Sequence, residues 1–183
     1  MLRTKKQMTH TFTVNQFDDL EEALIDASSL IYAEKAGFLR QLQQILRLYT
    51  LSKISEEANI KTGAIYIVQK SYPASLSPDQ QLVACAIESG LPVISDDKKI
   101  LRRIQQANLP YYNALMMINF LLFHRKITLQ EYQQHYSALR KIARYSPQVW
   151  EFGESVHWLI RQSCDDDGNT DENYSKLRET EHS

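Results

Sequence analysis

The sequence has little of what marks secreted, membrane-spanning or nucleotide-triphosphate-binding proteins. It contains two cysteines, Cys85 and Cys164, and neither belongs to a metal-binding spacing. The absence of a disulfide framework predicts a reduced, cytoplasmic protein. The N-terminus lacks the apolar core of a signal peptide, and the longest apolar run, 114–123, is too short to cross a bilayer. No glycine-rich phosphate loop is present, which argues against a nucleotide-triphosphate enzyme.

A strong charge of either sign is also missing. The formal net charge is −1, so any contact with nucleic acid must come from local basic patches. The five histidines show no ligand spacing. What is present, 43% hydrophobic and 23% charged residues in a chain of 183, is typical of one globular domain with a short extension.

Apolar runs that end in acidic residues alternate with helical patterns along the chain. We predict short strands near residues 23–26, 48–50, 63–68 and 91–95. We predict helices at 30–46, around Glu56 and Glu57, at 78–90, 97–107, 113–124, 128–144 and 149–161. Two Ser/Thr-x-x-Gln/Glu capping boxes, at Ser77 and Thr128, mark helix starts. This alternation predicts an α/β fold, a three-layer α/β/α sandwich around a mostly parallel sheet.

Three segments follow from this pattern. Residues 1–22 are predicted to be an N-terminal extension, and residues 23–161 form the domain with its C-terminal helices. Residues 162–183 are acidic and poor in apolar side chains, so they are predicted to be a disordered tail.

Carboxylates fall where the predicted strands and helices meet. Asp26 closes the first strand, and Asp96 and Asp97 follow the fourth. Since ligands gather at the carboxyl ends of parallel strands, these acids are expected at one edge of the sheet. Asp79 lies in the first turn of a helix and Glu57 on the short helix after the second strand.

Each acid taken alone also has an ordinary structural explanation. Asp79 suits the positive end of a helix dipole, Asp96 can be a simple cap, and Glu57 can belong to a solvated helix face. Asp26 is harder to explain in this way, because a carboxylate that ends a buried strand is costly unless it is paired.

Together the acids predict a cation site. Several carboxylates at one sheet edge repel each other, and a divalent cation would offset that repulsion. Ligands that are all oxygen atoms favour Mg²⁺ or Mn²⁺ over Zn²⁺. Such an ion suits phosphodiester hydrolysis, because it lowers the pKa of a bound water and neutralises charge that develops on the phosphate.

Four segments in order resemble the PIN-domain family of nucleases. They are Ala23–Ile31 (ALIDASSLI), Ile54–Glu57 (ISEE), Leu76–Asp79 (LSPD) and Leu91–Lys99 (LPVISDDKK). The segment that begins at Leu109 and the helices after it are similar to the C-terminal part of bacterial PIN proteins, so the likeness covers about residues 23–160. Two features differ from the family pattern: the Glu57 segment lacks a proline, and the stretch from Glu57 to Asp79 is short.

The resemblance implies a PIN-like fold and a metal-dependent endoribonuclease with Mg²⁺ or Mn²⁺ as cofactor. Its implied catalytic residues are Asp26, Glu57, Asp79 and Asp97. The implied metal site consists of Asp26, Asp79 and Asp97, which hold the metal directly or through water, and of Asp96, which supports them. Glu57 would hold a second metal or position the attacking water.

Other residues near the acids have two explanations each. Ser28 and Ser95 can hydrogen-bond the carboxylates or phosphate, or act only as turn and cap residues. Lys98 and Lys99, with Arg102 and Arg103, can bind RNA phosphates or form a solvated helix face. Tyr111 and Tyr112 can stack on bases, although core packing is the simpler role.

Two other functions compete with the nuclease. One is a PIN-like module that no longer cleaves and binds protein or RNA. The other is a phosphatase that forms a phosphorylated aspartate, but this would need a second aspartate two residues after Asp26, where Ser28 stands. The predicted partners are RNA, an antitoxin-like protein if the chain is the toxin of a toxin–antitoxin pair, and a second copy in a homodimer; no membrane is predicted.

Overall fold

A single parallel sheet organises the fold. The computed structural model of the chain describes residues 13–59 and 65–178, with side chains as far as Ser163. The strands are β1 (Glu22–Ile25), β2 (Arg47–Thr50), β3 (Ile65–Ile67), β4 (Val93–Ile94) and β5 (Tyr111–Tyr112). They are all parallel and lie in the order β3-β2-β1-β4-β5.

The helices cover this sheet in two groups. They are α1 (Ala27–Lys35), α2 (Leu39–Gln43), α3 (Ser52–Ala58), α4 (Pro78–Ser89), α5 (Lys98–Gln106), α6 (Ala114–Phe123), α7 (Leu129–Ile142) and α8 (Pro147–Arg178). Helix α1 packs with α2, α3, α6 and α7, whereas α4 packs with α5. The predicted three-layer α/β/α sandwich is therefore confirmed, with a sheet that is wholly rather than mostly parallel.

The order of the strands places a crevice beside β1. From β1 the chain adds β2 and then β3 on one side, and it returns to add β4 and β5 on the other side. The connections reverse direction between β1 and β4, and ligands bind at such a point, outside the carboxyl ends of the strands. Residue 26 follows β1 and residue 95 follows β4, so both predicted acid segments lie at this crevice.

The capping boxes begin their helices as predicted. The Ser77 hydroxyl accepts from the Gln80 backbone N–H, and the Gln80 side chain accepts from the Ser77 N–H. Thr128 and Glu131 make the same exchange at the start of α7. Helix α4 ends at Gly90, whose φ of 73° is left-handed and favours glycine. The start of α4, where Asp79 lies, is thus fixed by local sequence.

One predicted helix is divided in the structure. Residues 30–46 were expected to form one helix, but α1 ends at Lys35 and α2 begins at Leu39. Gly37 lies between them with φ 84°, which ends a right-handed helix at low conformational cost. The apolar residues of both pieces still face the core, and Leu30, Leu39 and Leu42 are buried.

Further differences concern the ends and the edge of the fold. Strand β5 was not predicted, because a two-residue strand leaves no alternating pattern to recognise. Part of the predicted extension packs on the core: Phe17 is fully buried and its ring contacts Tyr112 and Phe120. Residues 1–12, and residues 63 and 64 of the predicted third strand, lie outside the described residues.

The acidic tail also differs from its prediction. Disorder was expected from residue 162, whereas the backbone of α8 is helical as far as Arg178. A helix that is already nucleated by its packed first half lengthens without a second nucleation step, which favours this continuation. Residues 179–183 lie outside the described part of the chain. No helix within that part has both the length and the apolarity needed to cross a membrane.

Candidate functional site

Asp26 is the centre of the site. It follows β1 and caps α1, where its Oδ1 accepts the backbone N–H of Ser29 at 2.7 Å. Its Oδ2 accepts the hydroxyls of Ser28 at 2.9 Å and Ser95 at 2.5 Å. The residue is only 4% exposed, so these three donors stabilise a carboxylate that has lost most of its water. The expected contacts of Ser28 and Ser95 with a carboxylate are both present.

Ser95 joins Asp26 to Asp97. Its buried hydroxyl donates to Asp26 and accepts the backbone N–H of Asp97 at 3.1 Å. Asp97 in turn caps α5, and its Oδ1 accepts the N–H groups of Lys99 at 2.6 Å and Ile100 at 3.4 Å. Since all of these bonds to the Asp97 side chain go to Oδ1, Oδ2 keeps capacity to bind a further group.

Asp79 is the third acid of the predicted metal site and lies on α4, which packs against α5. It lies in the first turn of α4, on the exposed surface. Partial desolvation raises the pKa of Asp79, and the negative charges of Asp97 and Asp26 raise it further. Lys99 and Arg103 on α5 oppose this rise. The three acids that sequence grouped as metal ligands thus share one electrostatic environment.

Asp96 has a different role from Asp97. Its Oδ2 accepts the Ser29 hydroxyl at 2.6 Å, and its Oδ1 accepts the Tyr145 hydroxyl and the Ala114 N–H, the latter at 3.3 Å. Burial raises the pKa of Asp96 to about 6, although these donors lower it. Three of its roughly four acceptor positions are therefore directed at protein groups, and Asp96 connects α1, α6 and the α7–α8 loop.

Glu57 and the two lysines lie on exposed surfaces. Glu57 is on α3, and no hydrogen bond or ion pair joins its side chain to another described residue. Lys98 and Lys99 occupy the first turn of α5 and are exposed. Hydrogen bonds of Ser28, Ser29 and Ser95 connect Asp26, Asp96 and Asp97, and the charges of Asp26 and Asp97 act on Asp79. Glu57 shares no hydrogen bond or ion pair with these residues.

Two residues of the site were missed in the sequence. Ser29 donates its backbone N–H to Asp26 and its hydroxyl to Asp96, and Tyr145 reaches Asp96 from the loop after α7. The double serine after Asp26 gave a usable signal, because the second residue of such a pair is three positions from the first acid and suits a cap contact. Tyr145 gave none, since its contact spans 49 residues of sequence.

The oxygen atoms of the predicted metal ligands have the chemistry that a hard divalent cation prefers. Asp26, Asp79 and Asp97 supply only oxygen, and their charges oppose one another. In the described part of the chain, however, no three or more His, Cys, Asp or Glu side chains converge closely enough to hold one ion. Mutual repulsion favours separated carboxylates, and a cation would offset it.

The four aspartates differ in exposure: Asp79 is exposed, Asp96 and Asp97 are partly buried, and Asp26 is only 4% exposed. A cavity of about 580 Å³ does exist, between β5, α5 and α8, and its walls include Leu109, Tyr111 and Phe152. None of the four clustered aspartates lines it. The exposed Asp79 is accessible to a polymer, whereas a small substrate usually binds in an enclosed pocket.

Comparison of the chain with models of known protein families, with curated proteins and with solved structures gives no significant match.

Proposed function

We propose that this protein is a metal-dependent endoribonuclease of the PIN type, which hydrolyses phosphodiester bonds in RNA. The observation that carries the proposal is the shared electrostatic environment of Asp26, Asp79 and Asp97. These acids come from three different elements: Asp26 and Asp97 lie at the crevice between β1 and β4, and their charges act on Asp79. The charges of these carboxylates oppose one another, Lys99 and Arg103 offset part of that repulsion, and a bound cation would offset it further.

Asp26, Asp79 and Asp97 would hold Mg²⁺ or Mn²⁺. Such an ion supplies a water of lowered pKa and neutralises charge on the phosphate. Ser28 and Ser95 orient Asp26, and Ser95 also fixes the first turn of α5 through the Asp97 N–H. Asp96 accepts hydrogen bonds from the first turn of α1 and from the start of α6, so it fixes the positions of these two helix starts beside Asp26.

The exposed position of Asp79 supports a polymeric substrate. Asp79 lies in the first turn of α4, and α4 packs against α5, whose first two residues are exposed. A polynucleotide chain can cross such a surface, with one phosphate at the carboxylates and its neighbours on either side. A role as the toxin of a toxin–antitoxin pair stays a prediction, which a small co-encoded protein that inhibits cleavage would support.

A second function has its own support. Glu57 makes no hydrogen bond or ion pair with another described residue, and no three acidic side chains in the described part of the chain converge on one point. Both features suit a PIN-like module that binds RNA or protein without cleaving it. The two functions differ in one measurable property, which is metal-dependent turnover.

The test is cleavage of single-stranded RNA by the purified full chain with Mn²⁺ or Mg²⁺, and with EDTA. We expect Asp26→Asn to lower the rate at least about a hundredfold, because it removes a charge that balances the cation. Asp18→Asn is the matched control, since Asp18 is exposed and lies outside the site. Calorimetric titration with Mn²⁺ should show binding that Asp26→Asn and Asp97→Asn weaken.

Equal cleavage by Asp26→Asn and the parent protein would reject the catalytic assignment. If neither protein cleaves with Mn²⁺ supplied, while the parent still binds RNA, the binding module is the better description.

A further inference from the structure

The cavity between β5, α5 and α8 has the size of a binding site. Its volume is about 580 Å³. Pockets that bind small molecules measure roughly 300–1,000 Å³, whereas voids in a packed core seldom exceed the size of a water molecule. Helices α5, α6 and α8 and strand β5 all contribute to its wall, so regular structure on several sides keeps the cavity open.

Most of the cavity wall is apolar. Leu101 on α5, Met116 on α6 and Val149 on α8 line it from three helices. The rings of Tyr111 and Phe152, which are 39% and 45% exposed, line it as well. Apolar surface in contact with water is unfavourable, and a ligand with an apolar body would remove this surface from water.

The wall contains a single ionised side chain. Asp19, in the turn before β1, is its one acid, and the wall residues, which all lie in the described part of the chain, include no lysine, arginine or histidine. Burial raises the pKa of Tyr112 on the same wall, and the charge of Asp19 raises it further. The negative potential that disfavours a phenolate here favours a positive group.

The other polar and aromatic groups of the wall are compatible with a positive ligand group. The rings of Tyr111 and Phe152 can attract an ammonium through their faces. An ammonium also has three donors, which suit the carboxylate of Asp19 and the amide oxygens of Gln16 and Gln105. An anionic ligand would meet the charge of Asp19 without a basic side chain on the wall to offset it.

We propose that this cavity binds a small organic cation, with its apolar body against Leu101, Val149 and Phe152 and its ammonium group at Asp19. The site is separate from the acidic cluster, because none of the four clustered aspartates lines the cavity. The proposal is therefore independent of whether the protein cleaves RNA.

Three probes of similar shape test the charge of the ligand: 4-phenylbutylammonium, 4-phenylbutanol and 4-phenylbutyrate. Each is titrated into the ¹⁵N-labelled full chain, and ¹H–¹⁵N correlation spectra give both the affinity and the residues that respond. We expect the ammonium to bind with a dissociation constant on the order of 1 mM, as its small size allows. It should bind about threefold more tightly than the alcohol, because Asp19 is exposed and its charge is screened, and the carboxylate should bind most weakly.

Asp19→Asn should remove the preference for the ammonium over the alcohol and leave the affinity for the alcohol unchanged. The matched control is Asp18→Asn, because Asp18 is an exposed acid next in sequence that does not line the cavity. This control should keep the preference of the parent protein.

Phe152→Ala tests the apolar part of the site. It should weaken the binding of all three probes about fivefold, because it removes part of the apolar contact. Trp158→Ala is the matched control, since Trp158 is an exposed aromatic residue on the same helix and outside the cavity wall.

The proposal is overturned if the ammonium probe shifts no signal of a wall residue, or if the three probes bind equally well. A preference for the ammonium that survives Asp19→Asn would also overturn it, because the charge of Asp19 would then not select the ligand. Unchanged binding by Phe152→Ala would place the probe outside the cavity and have the same consequence. RNA cleavage enters none of these measurements, so a failure of the nuclease proposal leaves this one standing.

Discussion

Asp96 and Asp97 are neighbours in sequence with unlike surroundings. Asp97 caps a helix and leaves one oxygen without a protein donor, whereas Asp96 is held by three donors from three elements. Tyr145, which supplies one of them, is itself fixed by ring contacts with Tyr32 and Trp150. Asp97 can therefore bind a ligand through its second oxygen, whereas Asp96 holds α1, α6 and the α7–α8 loop together.

The first prediction concerns the titration of Asp96. Its pKa of about 6 in the folded protein lies above the ordinary value of 3.8. A raised pKa means that the folded state binds the proton more tightly, so this contribution to stability is present below about pH 4 and is lost as the pH rises through about 6.

Asp96→Asn removes this dependence. Relative to the variant, the parent protein should lose roughly 2 kcal/mol of unfolding free energy between about pH 4 and about pH 7. Urea denaturation of both proteins in EDTA at a series of pH values measures the difference. Asp18→Asn, an exposed substitution, should show no comparable change. A constant difference between parent and Asp96→Asn across this range would contradict the assignment.

At the scale of elements, the start of α4 carries Asp79, and the side chain of Ser77 caps it. Ser77→Ala removes the hydroxyl that caps this helix and should cost about 1 kcal/mol of stability. The same change at Thr128 removes the equivalent cap of α7 and should cost a similar amount.

The two caps differ in what lies beside them. A frayed first turn of α4 displaces Asp79, so Ser77→Ala should reduce cleavage by more than its loss of stability explains. Thr128→Ala should leave the rate unchanged at a temperature where it stays folded. Thermal denaturation and initial cleavage rates, measured on both variants, test this pairing. Equal rates in the two would show that Asp79 does not depend on its cap.

Local signals explain which elements the sequence revealed. The two capping boxes and Gly90 act within a few residues, so the starts of α4 and α7 and the end of α4 were predictable. The break at Gly37 was missed because apolar periodicity continues through it. Strand β5 was missed because two residues form a strand only through pairing with β4.

In the candidate site, too, residues with a local signal were predictable and residues that depend on tertiary packing were not. Asp26, Asp79 and Asp97 follow strands or begin helices, and each position can be read from its neighbours in sequence. Tyr145 and the Ala114 N–H reach Asp96 only through tertiary packing, and no nearby pattern records those contacts. Glu57 was grouped with the aspartates more by resemblance than by its own surroundings, and the structure places it on the exposed surface of α3.

For the whole molecule, the contact between α6 and α8 connects the C-terminal helices to the site. Gly153 on α8 lies against Leu115 on α6, and a Cβ there would overlap the Leu115 side chain. Asn119 reinforces the contact by donating to the Gly153 carbonyl at 3.0 Å. Leu115 follows Ala114, whose N–H holds Asp96.

Gly153→Ala should therefore destabilise the protein, although alanine is the better helix former. Overpacking costs roughly 1–3 kcal/mol, against a gain of about 1 kcal/mol in helix propensity. Leu115→Ala removes the overlapping atoms, so the double variant should lose less stability than the sum of the single variants. Urea denaturation gives the coupling energy. Additivity within about 0.5 kcal/mol would show that the two residues do not meet.

The order of the strands has a consequence for when the site comes into being. Asp26 and Ser95 are 69 residues apart in sequence, and they meet only when β4 pairs with β1. Pairings of such separation form slowly, because loop closure precedes any gain in contacts. During synthesis, a chain that has emerged only as far as β3 carries Asp26 but not its partners. Any activity of this site would thus be confined to chains whose second half has been made and folded.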